Sequence, residues 1–144
     1  MHSEAEGHNR STLELRVHEA GARAAVAVEG RLSVRNVEAL TGRLARLYTS
    51  GKSAIIIDFS RLKHADYRSL PSLTSALRGL TRSGCDVILC NLSEYVLNIF
   101  RVVGCDEELT IYERKEEAVR ALRNRLAGSY ARRPYRDRTV SAAM

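Results

Sequence analysis

The sequence predicts an α/β fold with a mixed sheet, and three observations lead to this prediction. Residues 54–57 are four consecutive apolar residues ending at Asp58, a run typical of a strand covered on both faces. Leucines recur at helical spacing soon afterwards, from Leu70 onward. Strand-like and helix-like segments alternate along the rest of the chain, which requires parallel crossover connections.

An antiparallel hairpin is expected at the start of the domain. Residues 13–17 alternate between apolar and polar, residues 19–22 suit a turn, and residues 24–30 return as the second strand. Ser33 is predicted to cap the first helix and Gly51 to end it. The apolar residues on one face of this helix are Val37, Leu40, Leu44, Leu47 and Tyr48.

The second helix follows the buried strand. Pro71 lies in its first turn, where the missing N–H costs little, and Gly84 ends it. Residues 87–90 are apolar and are predicted to form the next buried strand.

A third and a fourth helix complete the pattern. Ser93 is predicted to cap the third helix and Gly104 to end it, with Val96, Ile99, Phe100 and Val103 facing inward. Residues 109–112 suit a short last strand, and the final helix is predicted to end near Leu126.

Length and composition favour one cytoplasmic domain. The chain has 144 residues, of which 44% are apolar, and no run approaches the roughly 18 apolar residues that span a bilayer. We place the domain at residues 13–126 and expect residues 1–12 to be disordered. Because the start of the chain is polar, it does not resemble a secretion signal.

Residues 127–144 form a basic tail that is also expected to be disordered. The formal net charge of the chain is +6, and the tail contains Arg132, Arg133, Arg136 and Arg138 with Asp137 as its only acidic residue. Such a tail can contact nucleic acid or an acidic partner. We favour a solvated end over nucleic-acid binding.

The cysteines do not suggest a disulfide framework or a zinc site. Cys85, Cys90 and Cys105 are odd in number, and the spacing of the first two is unlike zinc-ligand patterns. Because Cys85 and Cys90 are five residues apart along a strand, they are expected on opposite faces of the sheet. All three are predicted to be small buried or half-buried residues without a bound metal.

No catalytic or cofactor-binding pattern is present in the sequence. There is no glycine-rich phosphate loop, and His64, two residues before Asp66, does not make a catalytic triad. Asp58 ends a buried strand, as in phospho-accepting receiver domains. The acidic pair and the lysine that such a domain needs for its magnesium site are missing from the ends of the other strands. We therefore predict a non-enzymatic protein without a cofactor.

In order and spacing, several segments together resemble the STAS domain, the fold of bacterial anti-sigma-factor antagonists. The matching segments are residues 28–32, 55–60, Asp66, 84–93, 103–106, 111–112 and 116–118. The resemblance implies a STAS-like mixed sheet over residues 13–126, with an N-terminal hairpin, alternating helices and parallel strands, and four main helices. It also implies a regulatory module that binds an anti-sigma factor or a serine-kinase-like regulator.

The loop that carries the function in this family differs here. The family pattern is Asp-Ser-Ser/Thr-Gly-Leu, whose first serine is phosphorylated by the partner, whereas this chain reads Asp66-Tyr67-Arg68-Ser69-Leu70. A phosphate beside a carboxylate breaks such a complex by repulsion and desolvation. Because Tyr67 stands at the acceptor position, we expect the usual phospho-switch to be lost.

Two interpretations stay open for each of three loop residues. Ser69 can be a displaced phosphorylation site, but we favour a helix cap that uses its hydroxyl. Tyr67 can cover the loop, but we favour an exposed anchor for a partner. Arg68 can attract an acidic surface or pair with Asp66. The predicted partner-binding set is Asp66, Tyr67, Arg68, Ser69, Ser72 and, close to the loop, Ser33.

A second function is compatible with the same fold. Some small STAS proteins that this chain resembles are accessory subunits of ABC-type lipid transporters and contact the ATPase. A homodimer also stays open.

Overall fold

The computed structural model describes residues 12–126, so the predictions for residues 1–11 and for the basic tail from residue 127 lie outside the described residues. Five strands and four α-helices make up this part of the chain. In chain order they are β1 (Leu13–Ala20), β2 (Arg23–Leu32), α1 (Val37–Thr49), β3 (Ala54–Ala65), α2 (Leu70–Arg82), β4 (Asp86–Cys90), α3 (Glu94–Val103), β5 (Ile111–Tyr112) and α4 (Lys115–Leu126). Short 3-10 turns lie at Tyr67–Ser69 and Asp106–Glu108.

The five strands form one mixed sheet in the order β1-β2-β3-β4-β5. Strands β1 and β2 pair antiparallel as a hairpin, and every later neighbouring pair is parallel. The predicted α/β class, the hairpin and the four helices are therefore confirmed. Because the parallel strands run the same way, their carboxyl ends meet at one edge of the sheet, where binding sites of α/β proteins commonly lie.

Apolar side chains cover both faces of the sheet. Helices α1, α2 and α3 pack on one face, where the largest fully buried residues include Ile55, Ile57, Phe59 and Phe100. Helix α4 packs on the other face through Ala118, Ala121 and Leu122 against Ile56, Ile88 and Cys90. This arrangement explains why residues 54–57 form an uninterrupted apolar run.

Strand β3 is longer than the sequence predicts. We expected the strand to end at Asp58, but it continues to Ala65, where it pairs with Leu32 of β2. Its first half pairs with both β2 and β4, whereas pairing with β4 stops at Asp58. The second half carries exposed polar residues, including Arg61 and Lys63, and an apolar run alone does not reveal such a strand.

Register shifts in β2 allow this long pairing. One lies between Ala27 and Glu29 and another between Gly30 and Arg31. Gly30 has φ of 110°, and a Cβ atom there would collide with the backbone oxygen of Thr12, which accepts a hydrogen bond from the amide of Arg31. Only glycine fits this position without displacing the backbone.

The predicted cap of the first helix is wrong, and that of the third is confirmed. Helix α1 starts at Val37 after Asn36, because Ser33 starts a separate turn: its amide donates to Asn36 Oδ1 at 2.8 Å. Ser93 Oγ accepts from the amide of Val96 at 3.1 Å, and helix α3 ends at Gly104 with φ of 83°.

The last strand is shorter than expected. Strand β5 comprises Ile111 and Tyr112 alone, since the chain before it forms the 3-10 turn Asp106–Glu108 instead of extending from Leu109.

The three cysteines are free and buried, as predicted. Cys85 and Cys90 lie in the cores on opposite faces of the sheet, also as predicted. Burial raises the pKa of the Cys85 thiol to about 11 and that of the Cys90 thiol to about 12. Both are therefore protonated at neutral pH.

Candidate functional site

The loop between β3 and α2 lies at the carboxyl edge of the sheet. Strand β3 ends at Ala65, and the amide of Asp66 donates to the carbonyl of Leu32 at 2.8 Å. Residues Tyr67–Ser69 then form a single 3-10 turn that leads directly into α2. The loop is thus held to β2 on one side and to a helix on the other.

Asp66 and Arg68 form a two-point ion pair at the start of this turn. Asp66 Oδ2 accepts from Arg68 Nη2 at 2.7 Å, and Oδ1 accepts from Arg68 Nε at 3.2 Å. Oδ1 also accepts from the backbone amide of Arg68 at 3.0 Å, which caps the turn. These hydrogen bonds lower the pKa of Asp66 from the usual 3.8 to about 2. Asp66 is therefore a structural carboxylate whose two oxygens are both engaged.

The two partners of this pair differ in exposure. The side chain of Arg68 is 65% exposed and that of Asp66 only 18%. The charge presented to solvent at the loop is consequently the guanidinium. Of the two alternatives for Arg68, pairing with Asp66 is observed, and it leaves the outer face of the cation accessible.

Tyr67 and Ser69 occupy opposite environments. Tyr67 projects into solvent and is 62% exposed, whereas Ser69 is fully buried. Ser69 Oγ donates to the carbonyl of Asp66 at 2.7 Å and makes no cap for α2, so the predicted capping role of its hydroxyl is wrong. The Asp66 side chain already caps the preceding turn, and Ser69 itself has helical dihedral angles.

The remaining two residues of the predicted set flank the loop. Ser72 is exposed in the first turn of α2. Ser33 is half-buried next to Leu32, and its hydroxyl accepts from the amide of Arg35 at 3.3 Å. The structure therefore brings Ser33 and the loop together through the Leu32–Asp66 hydrogen bond.

Asp58, the one acidic residue of β3, is half-buried and hydrogen-bonded. Its Oδ1 accepts from the amide of Ser60 at 2.9 Å and from Asn91 Nδ2 at 3.0 Å. Within residues 12–126, no group of three or more histidine, cysteine or acidic side chains is arranged to hold a metal ion. Asp58 thus acts as a local hydrogen-bond acceptor.

An open groove of about 640 Å³ lies beside the loop, and the sequence analysis did not anticipate it. Its walls are the end of β3, the start of the loop, and the outer side of α3. Tyr67, Tyr95 and Val102 line it, and they are three of the four large apolar residues that are exposed within residues 12–126. The signal in the sequence is the seven-residue spacing of Tyr95 and Val102, a second apolar stripe on α3 beside the inward one.

His64 contacts Tyr95, and both side chains line the groove. Its Nδ1 atom lies 2.7 Å from the hydroxyl of Tyr95, and the two rings are 5.6 Å apart with a tilt of 31°. Ile99, which we predicted to face the core, is half-buried: it packs against the core as predicted and also lines the groove. Across the described residues, no helix has the length and apolar character needed to cross a membrane.

Comparison with known structures gives the same architecture. An anti-sigma factor antagonist from Mycobacterium paratuberculosis superposes with a TM-score of 0.69 at 17% identity, over 78% of this chain and 95% of that one. The anti-sigma factor antagonist SpoIIAA in its unphosphorylated form gives 0.62 at 21% identity, over 82% and 100%. The phosphorylated form of this Bacillus cell fate determinant gives 0.57 at 19%, over 76% and 99%. At these identities the likeness establishes the fold.

The sequence itself matches the model of the STAS domain over residues 14–118, most of the residues that the structure describes. The segments quoted above for the resemblance fall within this range. This chain belongs to the STAS domain family.

Proposed function

We propose that this protein is a non-enzymatic, cytoplasmic regulatory module that docks an anti-sigma factor or serine-kinase-type partner through residues 66–72. The single observation that carries the proposal is the loop itself, which presents an exposed tyrosine and an exposed guanidinium from a hydrogen-bonded 3-10 turn. Aromatic and arginine side chains of this kind are the usual anchors of protein interfaces.

The usual serine phospho-switch is lost in this proposal. Tyr67, at the acceptor position of the family, carries a phenol that extends several ångströms beyond a serine hydroxyl. The nearest serine hydroxyl, that of Ser69, is buried and donates to the carbonyl of Asp66. A kinase would have to unfold the turn to reach it. Partner binding is therefore constitutive or controlled by another signal.

A pull-down from lysate of the native host tests the docking surface. Tyr67→Ala and Arg68→Glu should each lower recovery of the partner by ~10-fold or more, since hot-spot residues contribute about 2 kcal/mol or more. Ala45→Glu, on the exposed side of α1, is the matched control and should leave recovery unchanged. Unchanged recovery with both loop variants would show that the partner does not bind through this loop.

Mass spectrometry of the protein from the same host tests the loss of the switch. We expect no phosphate on residues 66–72. Stoichiometric phosphorylation of Tyr67, Ser69 or Ser72 would contradict this part of the proposal.

A further inference from the structure

A second recess lies between the β1–β2 hairpin and helix α4. It is an open pocket of about 190 Å³. Among the described residues, the core beneath α4 takes side chains from β3, β4, β5 and α4 itself, and none from the hairpin. On this face of the sheet His18 pairs with Ala25, and Ala25 pairs with Ile56. Because Ala25 has a small side chain, this row leaves space between the hairpin and α4.

The pocket combines buried apolar side chains with cations. Ile56 and Leu122, which are 5% and 1% exposed, are among its buried lining residues. The charged residues that line it are Arg23, Lys115 and Arg123, and they give the lining a net charge of +3. None of the described residues that line the pocket is acidic. Such a lining suits a ligand that has an apolar body and an anionic head.

Within residues 12–126, the three cations of this pocket have no ion-pair partner. Elsewhere on the hairpin Arg16 is paired with Glu29 at 3.9 Å. Glu116 of α4 lines an adjoining pocket of about 340 Å³ and does not line this one. An anionic ligand would therefore gain charge-assisted hydrogen bonds without displacing an acidic side chain from these cations.

We propose that this pocket binds a small organic anion, whose head contacts the cations and whose apolar body lies on Ile56 and Leu122. A doubly charged phosphate ester matches the net charge of +3 better than a singly charged carboxylate does. The volume is below the roughly 300–1,000 Å³ of pockets that hold drug-sized molecules, so the ligand is a compact one.

The pocket is separate from the proposed docking surface. It lies near the amino ends of β2 and β3, at Arg23 and Ile56, whereas residues 66–72 follow the carboxyl end of β3. This site therefore goes beyond the proposed function and does not depend on it.

Titration of the full-length, isotope-labelled protein with phenyl phosphate tests the site by NMR. We expect saturable shifts of the amides of residues 18–25 and 115–123, with a dissociation constant of about 1 mM or below. Inorganic phosphate lacks the apolar body and should bind at least ~10-fold more weakly. Benzyl alcohol lacks the charge and should also bind at least ~10-fold more weakly.

Two variants test the two features of the pocket separately. Arg123→Glu reverses one exposed cation and should weaken binding of phenyl phosphate by ~10-fold or more. Ala25→Ile keeps every cation but fills the pocket with a side chain that strands favour, so it should abolish saturable binding.

Arg120→Glu is the matched control. It makes the same charge change on the same helix, but Arg120 lines the adjoining pocket and not this one. Because solvent and salt screen its charge, binding of phenyl phosphate should change by less than ~3-fold.

Absence of saturable binding, undiminished binding by Arg123→Glu or Ala25→Ile, or equal binding of inorganic phosphate and phenyl phosphate would overturn the inference. Equal weakening by Arg123→Glu and Arg120→Glu would assign the binding to a general basic surface, such as one for nucleic acid, and would overturn it as well. Shifts confined to the groove residues Tyr95 and Val102 would place the ligand elsewhere, with the same consequence.

The pull-down separates this inference from the proposed function. If Tyr67→Ala and Arg68→Glu retain the native partner, the proposed function fails and the binding of phenyl phosphate is unaffected. If phenyl phosphate does not bind, the pocket is excluded and the loop surface stands.

Discussion

The core between the sheet and helix α3 and the groove on the outer side of that helix are both lined by apolar side chains, yet they have different roles. Phe100 is fully buried and packs edge-on against Phe59 with ring centroids 6.2 Å apart. Val102, two residues later, is 85% exposed. One helix therefore supports the fold with one side and leaves apolar side chains open to solvent on the other. Apolar character alone does not tell which side is which.

The largest expected effect is on stability, when one apolar residue on each side of α3 is truncated to alanine. Phe100→Ala should lower the free energy of unfolding by about 3–5 kcal/mol, because it removes a buried ring and leaves a cavity. Val102→Ala should change it by less than about 0.5 kcal/mol, since the side chain is already in water. Urea denaturation followed by circular dichroism measures both. Similar losses for the two variants would show that Val102 is covered within the monomer.

A smaller effect concerns the cap that sets where α3 begins, and hence where Tyr95 points. Ser93→Ala removes the hydrogen bond from the amide of Val96 and should cost about 1 kcal/mol of stability. Ser72→Ala, in the exposed first turn of α2, is the matched control and should cost less than about 0.5 kcal/mol. Equal stabilities of the two variants would mean that the cap does not contribute to the placement of α3.

The smallest expected effect is on the titration of Asp66, in the loop at one end of the groove. In the folded protein the pKa of Asp66 is lowered to about 2, so its ionised form contributes stability above pH 3.8 that is lost only as the pH falls through about 2. The Asp66 carboxyl carbon should accordingly titrate near pH 2 by NMR. Arg68→Ala should move that midpoint part of the way up toward 3.8, because it removes the side-chain hydrogen bonds that are the largest cause of the shift and keeps the backbone one. A wild-type midpoint already near 3.8 would show that the ion pair does not form in solution.

Sequence reasoning succeeded where local chemistry decides the structure. The apolar run before Asp58, the leucines of α2 and the serine and glycine that bound α3 each act on their own neighbours, so the elements they predict are observed. The STAS resemblance also rested on ordered local segments and is confirmed.

Sequence reasoning failed where a neighbouring part of the structure determines what a residue does. Serine is a typical helix-capping residue, but Asp66 already caps the turn before α2. The hydroxyl of Ser69 is buried and donates to the carbonyl of Asp66 instead. The second half of β3 is polar and is a strand because β2 continues beside it. Neither outcome can be read from the residues concerned.

The sequence by itself determined the order of strands and helices, the family, and an Asp-Tyr-Arg loop in place of the modifiable serine, because periodicity, capping residues and motifs are properties of neighbouring residues. Only the tertiary structure decided that Tyr67 is exposed while Ser69 is buried, and that Tyr67, Tyr95 and Val102 meet in one groove. These residues lie far apart along the chain or differ only in direction, and it is the packing of α3 against β3 that brings them to one surface.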